Sequence, residues 1–144
     1  MNVTIINENK KDFLDLLLLA DEQEDMIDKY LERGTLFALY DDGLKSICVV
    51  TNEGEGSFEI QSLATSPEFQ KRGYGRYLID HVCDHYKGKG VMTLGTGESL
   101  VPFYEKSGFV FSHRIENYFL IHYKEPMYDE GVQLKDKVYL KREL

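Results

Sequence analysis

Cysteine is scarce in this chain: 2 of 144 residues, Cys48 and Cys83. Two thiols do not make a disulfide framework, and a chain this long can bury a core without the disulfide or metal staples that smaller chains need. Long apolar runs are missing too. The longest covers residues 16–20, against the roughly 18 residues that cross a bilayer, so no membrane partner is expected. The start, Met1-Asn2-Val3-Thr4-Ile5-Ile6-Asn7, has no basic region, long apolar stretch or small-residue cleavage pattern, and a cytoplasmic location is expected. Positive charge is also short. With 17 Lys and Arg against 25 Asp and Glu, the net charge is −8, which argues against nucleic acid as a partner. Internal repeats and low-complexity linkers are absent. What is present, 42% hydrophobic and 29% charged residues, is the composition of a globular protein, and a single domain over residues 1–144 is expected.

The acidity is uneven. Residues 1–60 hold 14 acids and 5 bases, whereas residues 61–144 hold 11 acids and 12 bases. A charge that served only solubility would not be distributed this way.

Periodicity gives the elements. A short strand is expected at residues 3–6. Asn9 then fits a helix N-cap with Asp12 three residues on, and Phe13, Leu16, Leu17 and Ala20 share one helical face. A second helix is expected over 22–33, with Met26, Ile27, Tyr30 and Leu31 as its stripe and Gly34 as its C′ residue. Strands follow at 36–40, 46–51 and 58–65, with a turn at Asp41-Asp42-Gly43. Short connections make these three antiparallel. A helix opens near Tyr74 and carries Leu78, Ile79, Val82, Cys83 and Tyr86 at helical spacing. A strand at 91–94 ends at Gly95-Thr96-Gly97, and a short helix covers 100–107. Two strands, 110–123 and 137–141, flank a loop with Pro126, Asp129 and Gly131. The order β-α-α-β-β-β-α-β-α-β-β is an α/β fold of the α+β kind, a mixed sheet with helices on its faces.

The informative segment is Gln70-Lys71-Arg72-Gly73-Tyr74-Gly75, between a strand and an amphipathic helix. Its glycines permit a tight turn and close approach of backbone N–H groups to a ligand. The helix that follows aims its positive end at the same place, and Lys71, Arg72 and Arg76 add charge. This suits a phosphate or pyrophosphate. The Walker pattern fails, because Arg76 and Tyr77 follow the second glycine, and the dinucleotide fingerprint fails, because its third glycine is replaced by Leu78.

The wider pattern is more specific. The strand Glu59-Ile60-Gln61-Ser62-Leu63-Ala64-Thr65, then Pro67, then Gln-x-x-Gly-x-Gly and a helix, resembles the acetyl-CoA-binding core of the GNAT acyltransferase superfamily. Phe103-Tyr104-Glu105-Lys106-Ser107-Gly108-Phe109 looks like that family's second signature. The resemblance covers nearly the whole chain and is most specific over residues 58–109. One departure stands out. Many members carry an Asn about seven residues before the Tyr, and here that position is Gly97, within Gly95-Thr96-Gly97-Glu98-Ser99.

The resemblance implies a mixed, mostly antiparallel sheet of about seven strands with about four helices. It also implies a V-shaped cleft for acetyl-CoA, the acyl donor, and no metal. By analogy, Leu63, Ala64 and Thr65 line the pantetheine arm, the backbone of Leu63 and Thr65 bonding it like an added strand. Gln70, Lys71, Arg72, Gly73, Tyr74, Gly75 and Arg76 hold the pyrophosphate. The implied reaction is N-acetylation of a small-molecule or peptidic primary amine by direct attack in a ternary complex. Tyr104 is then the expected proton donor to the leaving thiolate, and Glu59 the expected general base, with His113, Glu116 and Tyr118 as rivals. Two other readings stay open: a non-catalytic acyl-CoA sensor and a nucleotide-phosphate-binding module.

Other features remain to be placed. His81 and His85 read as a hydrated helix face, and Cys48 and Cys83 as inert buried thiols. The aromatic stretch Tyr118, Phe119, Tyr123, Met127 and Tyr128 either packs the C-terminal strands or a homodimer interface, or lines the acceptor pocket. Asp21, Glu22, Glu24, Asp25 and Asp28 either form a solvated face or steer a cationic amine.

Overall fold

Side chains alternate along a strand, and that alternation decides how this sheet is covered. The computed structural model describes residues 1–129 and 131–144. β1 (Asn2–Ile6) leads through a short 3-10 turn into α1 (Leu14–Ala20) and the single-turn α2 (Glu24–Ile27). β2 (Thr35–Tyr40), β3 (Leu44–Gly54) and β4 (Ser57–Thr65) then form an antiparallel meander. Leu36 and Ala38 of β2, with Ile47 and Val49 of β3, pack against Leu16, Leu17, Ile27 and Leu31 on one face. Phe37 and Leu39, with Cys48 and Val50, pack on the other face against Leu78, Ile79, Val82 and Cys83 of α3 (Tyr74–His85). Both faces are covered, so β2 and β3 read as near-continuous apolar runs.

β5 (Val91–Thr96) runs parallel to β4, and α4 (Val101–Glu105) follows it. β6 (Val110–Ile115), α5 (Tyr118–His122), the two-residue strands β7 (Tyr128–Asp129) and β8 (Val132–Gln133), and β9 (Lys137–Glu143) complete the chain. The central sheet has seven strands in the order β1-β2-β3-β4-β5-β9-β6, antiparallel throughout except at β4–β5. The expected fold class is therefore present, with five helices rather than four among the described residues. No helix of the described residues is long and apolar enough to cross a membrane.

Five local expectations are corrected. The helix expected over 22–33 is one turn, α2, followed by irregular turns. Its stripe still buries Ile27, Tyr30 and Leu31, but the Lys10 ammonium donates to the carbonyls of Leu31, Glu32 and Gly34 at 3.0, 3.1 and 2.7 Å. Carbonyls held by a buried cation end the segment without a helical cap. Gly34 is not a left-handed cap either. A Cβ there would meet Val49 Cγ1 at 2.8 Å and the Tyr30 carbonyl at 2.9 Å. Asn9, expected as an N-cap, is itself left-handed (φ 56°) and makes no side-chain cap. Gly95 and Thr96, expected to break the chain, are the last two residues of β5. The strand expected over 110–123 stops at Ile115. Asn117 (φ 58°) turns the chain into α5, its N–H donating to Asp136 Oδ1 at 2.9 Å. Aromatic residues favour strands by propensity, and here a turn and tertiary packing override that preference.

Candidate active site

Two irregularities in β4 create the site. The first is a bulge. Val49 of β3 faces Ser62 and Val50 faces Ile60, leaving Gln61 as the extra residue. The bulge inverts the alternation of β4. Before it, Phe58 and Ile60 point to the α3 side; after it, Leu63 packs on that side and Ala64 on the α1 side. The second irregularity is a splay. β4 and β5 pair from Ser57↔Val91 to Ile60↔Leu94 and then separate. Beyond Ile60, β4 keeps β3 on one edge and has an open edge on the other.

Backbone direction along that open edge follows from one bond. The Ser66 N–H donates to the Lys45 carbonyl at 3.0 Å, and antiparallel alternation puts Ala64 and Ser62 on the same, bonded side. Leu63 and Thr65 therefore direct their N–H and C=O groups into the gap. The Thr65 carbonyl accepts from Gln70 Nε2 at 3.1 Å, which ties the strand to the loop after it.

That loop has the geometry of an anion cradle. Lys71 (φ 63°) and Gly73 (φ 88°) are both left-handed, and Gly73 caps the twelve-residue α3. The backbone N–H groups from Lys71 to Arg76 have no partner among the described residues. They sit at a helix N-terminus, where the helix dipole favours an anion. The Tyr74 hydroxyl donates to Asp41 Oδ2 at 2.8 Å and fixes the loop to the β2–β3 hairpin. Gly75 lies close to Phe103 and Thr65, so even a Cβ there would touch both, at 3.5 and 3.6 Å. The partnerless amides and the open strand edge fit a pyrophosphate and an extended pantetheine arm.

A cleft of about 660 Å³ runs through the splay. Leu63, Ala64, Thr65, Gln70, Lys71, Gly73, Tyr74, Gly75, Arg76 and Tyr104 all line it. Arg72 does not; its guanidinium sits 5.7 Å from the centre of the Phe69 ring. Glu59 does not line it either. A second hollow of similar volume, about 650 Å³, lies where α3 meets β9 beside Asp80 and Arg142, and none of the motif residues that carry the resemblance reach it.

Tyr104 of α4 is 7% exposed, wedged edge-on between Phe103 and Phe109, and burial pushes its phenol well above the ordinary value. Glu59 lies on the opposite face of the sheet, among Lys137, Glu53 and Arg33. Burial lifts its carboxyl above the usual range, with Lys137 opposing. Cys48 and Cys83 are buried, and burial pushes both thiols up, Cys83 to about 11.

The far side of the cleft was not spelled out by any motif. Tyr118, Phe119, Tyr123, Met127 and Tyr128 all line it, with Asp21, Glu22, Tyr30, Ser62 and Lys137. The Tyr123 hydroxyl donates to Asp21 Oδ1 at 2.9 Å, and the Lys124 N–H donates to Gln23 Oε1 at 3.0 Å. These bonds tie the chain after α5 across to the α1–α2 connection. Glycines clear the room. A Cβ at Gly95 would collide with the Lys137 side chain, and one at Gly97 would meet Leu134 Cδ2 at 2.5 Å. The departure from the expected Asn at position 97 thus leaves space that Leu134 occupies. Of the five acids considered for steering, only Asp21 and Glu22 line the cleft, while Glu24 and Asp28 pair with Lys11. His113 stacks on Tyr139 with ring centres 4.6 Å apart, and neither it nor Glu116 lines the cleft.

Comparison with known proteins decides the family. Residues 4–109 match the Acetyltransferase (GNAT) family. The chain belongs to this family. The N-acetyltransferase YvbK of Bacillus subtilis is 32% identical, over 97% of this chain and 94% of that protein. The crystal structure of a GNAT family acetyltransferase from Elizabethkingia anophelis with acetyl-CoA bound superimposes with a TM-score of 0.92 at 29% identity, covering 99% of this chain and 97% of that one. A Bacillus subtilis acetyltransferase in complex with CoA gives 0.90 at 32% identity, over 99% and 98%. Membership makes this GNAT chain an N-acetyltransferase with acetyl-CoA as acyl donor.

Proposed function

We propose that this GNAT enzyme transfers the acetyl group of acetyl-CoA to the primary amine of a small molecule or peptide, by direct attack in a ternary complex. The observation that carries this reading is the open edge of β4 facing a loop of partnerless amides, with Tyr104 in the same cleft. Bound there, acetyl-CoA supplies an activated acyl group. The amides of residues 71–76, with Lys71 and Arg76, hold its pyrophosphate. The Leu63 and Thr65 backbone aligns the pantetheine arm, and the Leu63 N–H is placed to donate to the carbonyl oxygen as negative charge develops there. Ala64 contributes wall rather than backbone bonds, since its polar groups face β3.

The remaining roles concern protons. The attacking amine loses one, and Glu59 takes it through an intervening water, because its carboxyl stands behind the cleft wall. A raised pKa makes that carboxylate a better proton acceptor near neutral pH. The departing sulfur gains one from Tyr104, whose buried phenol stays protonated well past neutrality. The new C–N bond forms as the C–S bond breaks, giving an N-acetyl amine and CoA thiol. Two buried, unionised thiols offer no competing acyl-enzyme route.

Calorimetric titration with acetyl-CoA, followed by an amine panel scored by thiol release, tests the reading. Binding of acetyl-CoA and release of CoA with at least one amine is expected. Binding without release for any amine would contradict catalysis and favour the sensor reading.

A further inference from the structure

The far half of the cleft has more hydrogen-bond donors than it can use. Lys137 Nζ makes no hydrogen bond and no ion pair with any described residue; it rests 4.4 Å from the centre of the Tyr118 ring and 5.2 Å from that of Tyr139. The Tyr30 hydroxyl and Ser62 Oγ are unpartnered as well, in residues only 6% and 3% exposed. A buried hydroxyl without a partner is costly, so such groups normally meet a ligand or a water. All three line the cleft.

The acids of this half are differently placed. Asp21 already accepts from Tyr123 and neighbours both Tyr30 and Lys137, and Glu59 neighbours Lys137. Within the cleft Asp21 and Lys137 set one acid near one base, while Glu59 stands behind the wall next to Lys137. A plain anion would leave Asp21 unmatched, and a plain cation would leave the free donors unmet. A zwitterion answers both, giving its ammonium to Asp21 and its carboxylate to the donors. The chain also keeps a glycine at position 95 where any side chain would collide with Lys137, so space in β5 is reserved for that lysine.

We propose that the acceptor is an amine that also bears a carboxylate, of amino-acid type, whose carboxylate sits on the Lys137 ammonium and the Tyr30 and Ser62 hydroxyls while its amine is held on the Asp21 side and gives its proton to Glu59 through the intervening water. This rests on the reading of the cleft as an N-acetyltransferase site and names its substrate class.

The test sets L-amino acids beside their carboxamides. Each pair is measured twice, by kcat/KM for CoA release and by calorimetric binding to the CoA-loaded protein. At least one amino acid is expected to exceed its amide by about tenfold or more in both measurements. Lys137→Met brings that ratio close to one without changing acetyl-CoA affinity, and Tyr30→Phe lowers it partway. A wild-type protein that does not favour the acid over the amide would overturn the inference. So would a preference that survives Lys137→Met. If Lys137 serves only to balance Glu59 and Asp21, its loss lowers both members of each pair by one factor and leaves the ratio intact, which equally overturns it. Failure of the transferase reading looks different: no amine releases CoA, while the binding ratio still reports on the carboxylate seat.

Discussion

The donor half of the cleft is built from backbone, whereas the acceptor half is built from side chains. On the proposed donor side the candidate groups are N–H and C=O of Leu63 and Thr65 and the amides of residues 71–76. On the acceptor side they are the tips of Asp21, Tyr30, Ser62, Tyr123 and Lys137, drawn from five separate parts of the chain. The difference explains what each half can vary. A backbone cradle tolerates changes of side chain as long as its glycines and its bulge remain, which suits a constant cofactor. A side-chain pocket changes with every substitution, which suits a particular acceptor.

The largest expected effect breaks the donor half alone. Gly75→Glu puts bulk and negative charge where the pyrophosphate would lie, and acetyl-CoA binding should vanish in calorimetry. Gly75→Ala meets Phe103 and Thr65 only at ordinary contact distance and should bind nearly as well as the unaltered protein. Next, Tyr104→Phe should lower kcat by about 10²-fold with acetyl-CoA affinity nearly unchanged, as loss of a general acid does; steady-state kinetics and calorimetry check this together. Glu59→Gln probes the proposed base on the other face of the sheet. A base works as its carboxylate, so the rate rises with pH through its pKa, and burial places that rise above the usual carboxylate range. The substitution should remove the rise from the pH–rate profile.

Smaller effects sharpen the acceptor half. Gly95→Ala displaces the Lys137 side chain and should raise the KM for the amine by about tenfold, with the KM for acetyl-CoA unmoved. Tyr123→Phe removes one bond to Asp21 and should cost about 1 kcal/mol of stability in denaturant melts.

The same contrast explains what was legible in the sequence. A backbone site needs glycines, a strand and a helix start in one short window, so residues 59–76 announced it. The Phe-Tyr-x-Lys-x-Gly-Phe segment marked Tyr104 for the same reason. The meander and α3 were legible because their apolar periods were strong. The acceptor half left no local trace. Asp21 and Tyr123 are neighbours only after folding, and Lys137 gained meaning only through the missing Cβ of Gly95. The aromatic stretch from Tyr118 to Tyr128 was visible as composition, but its helix depended on Asn117 turning left-handed and bonding Asp136. The bulge at Gln61 was equally silent, since parity inverts in the pairing with β3 and not in the residues themselves.

In the proposed mechanism, donor and acceptor are held by separable halves of one cleft. Calorimetric titration of acetyl-CoA into Gly75→Glu and Lys137→Met, side by side, tests it most directly. No detectable binding to the first and wild-type affinity in the second are expected. Wild-type affinity in Gly75→Glu, or lost affinity in a folded Lys137→Met protein, would contradict it.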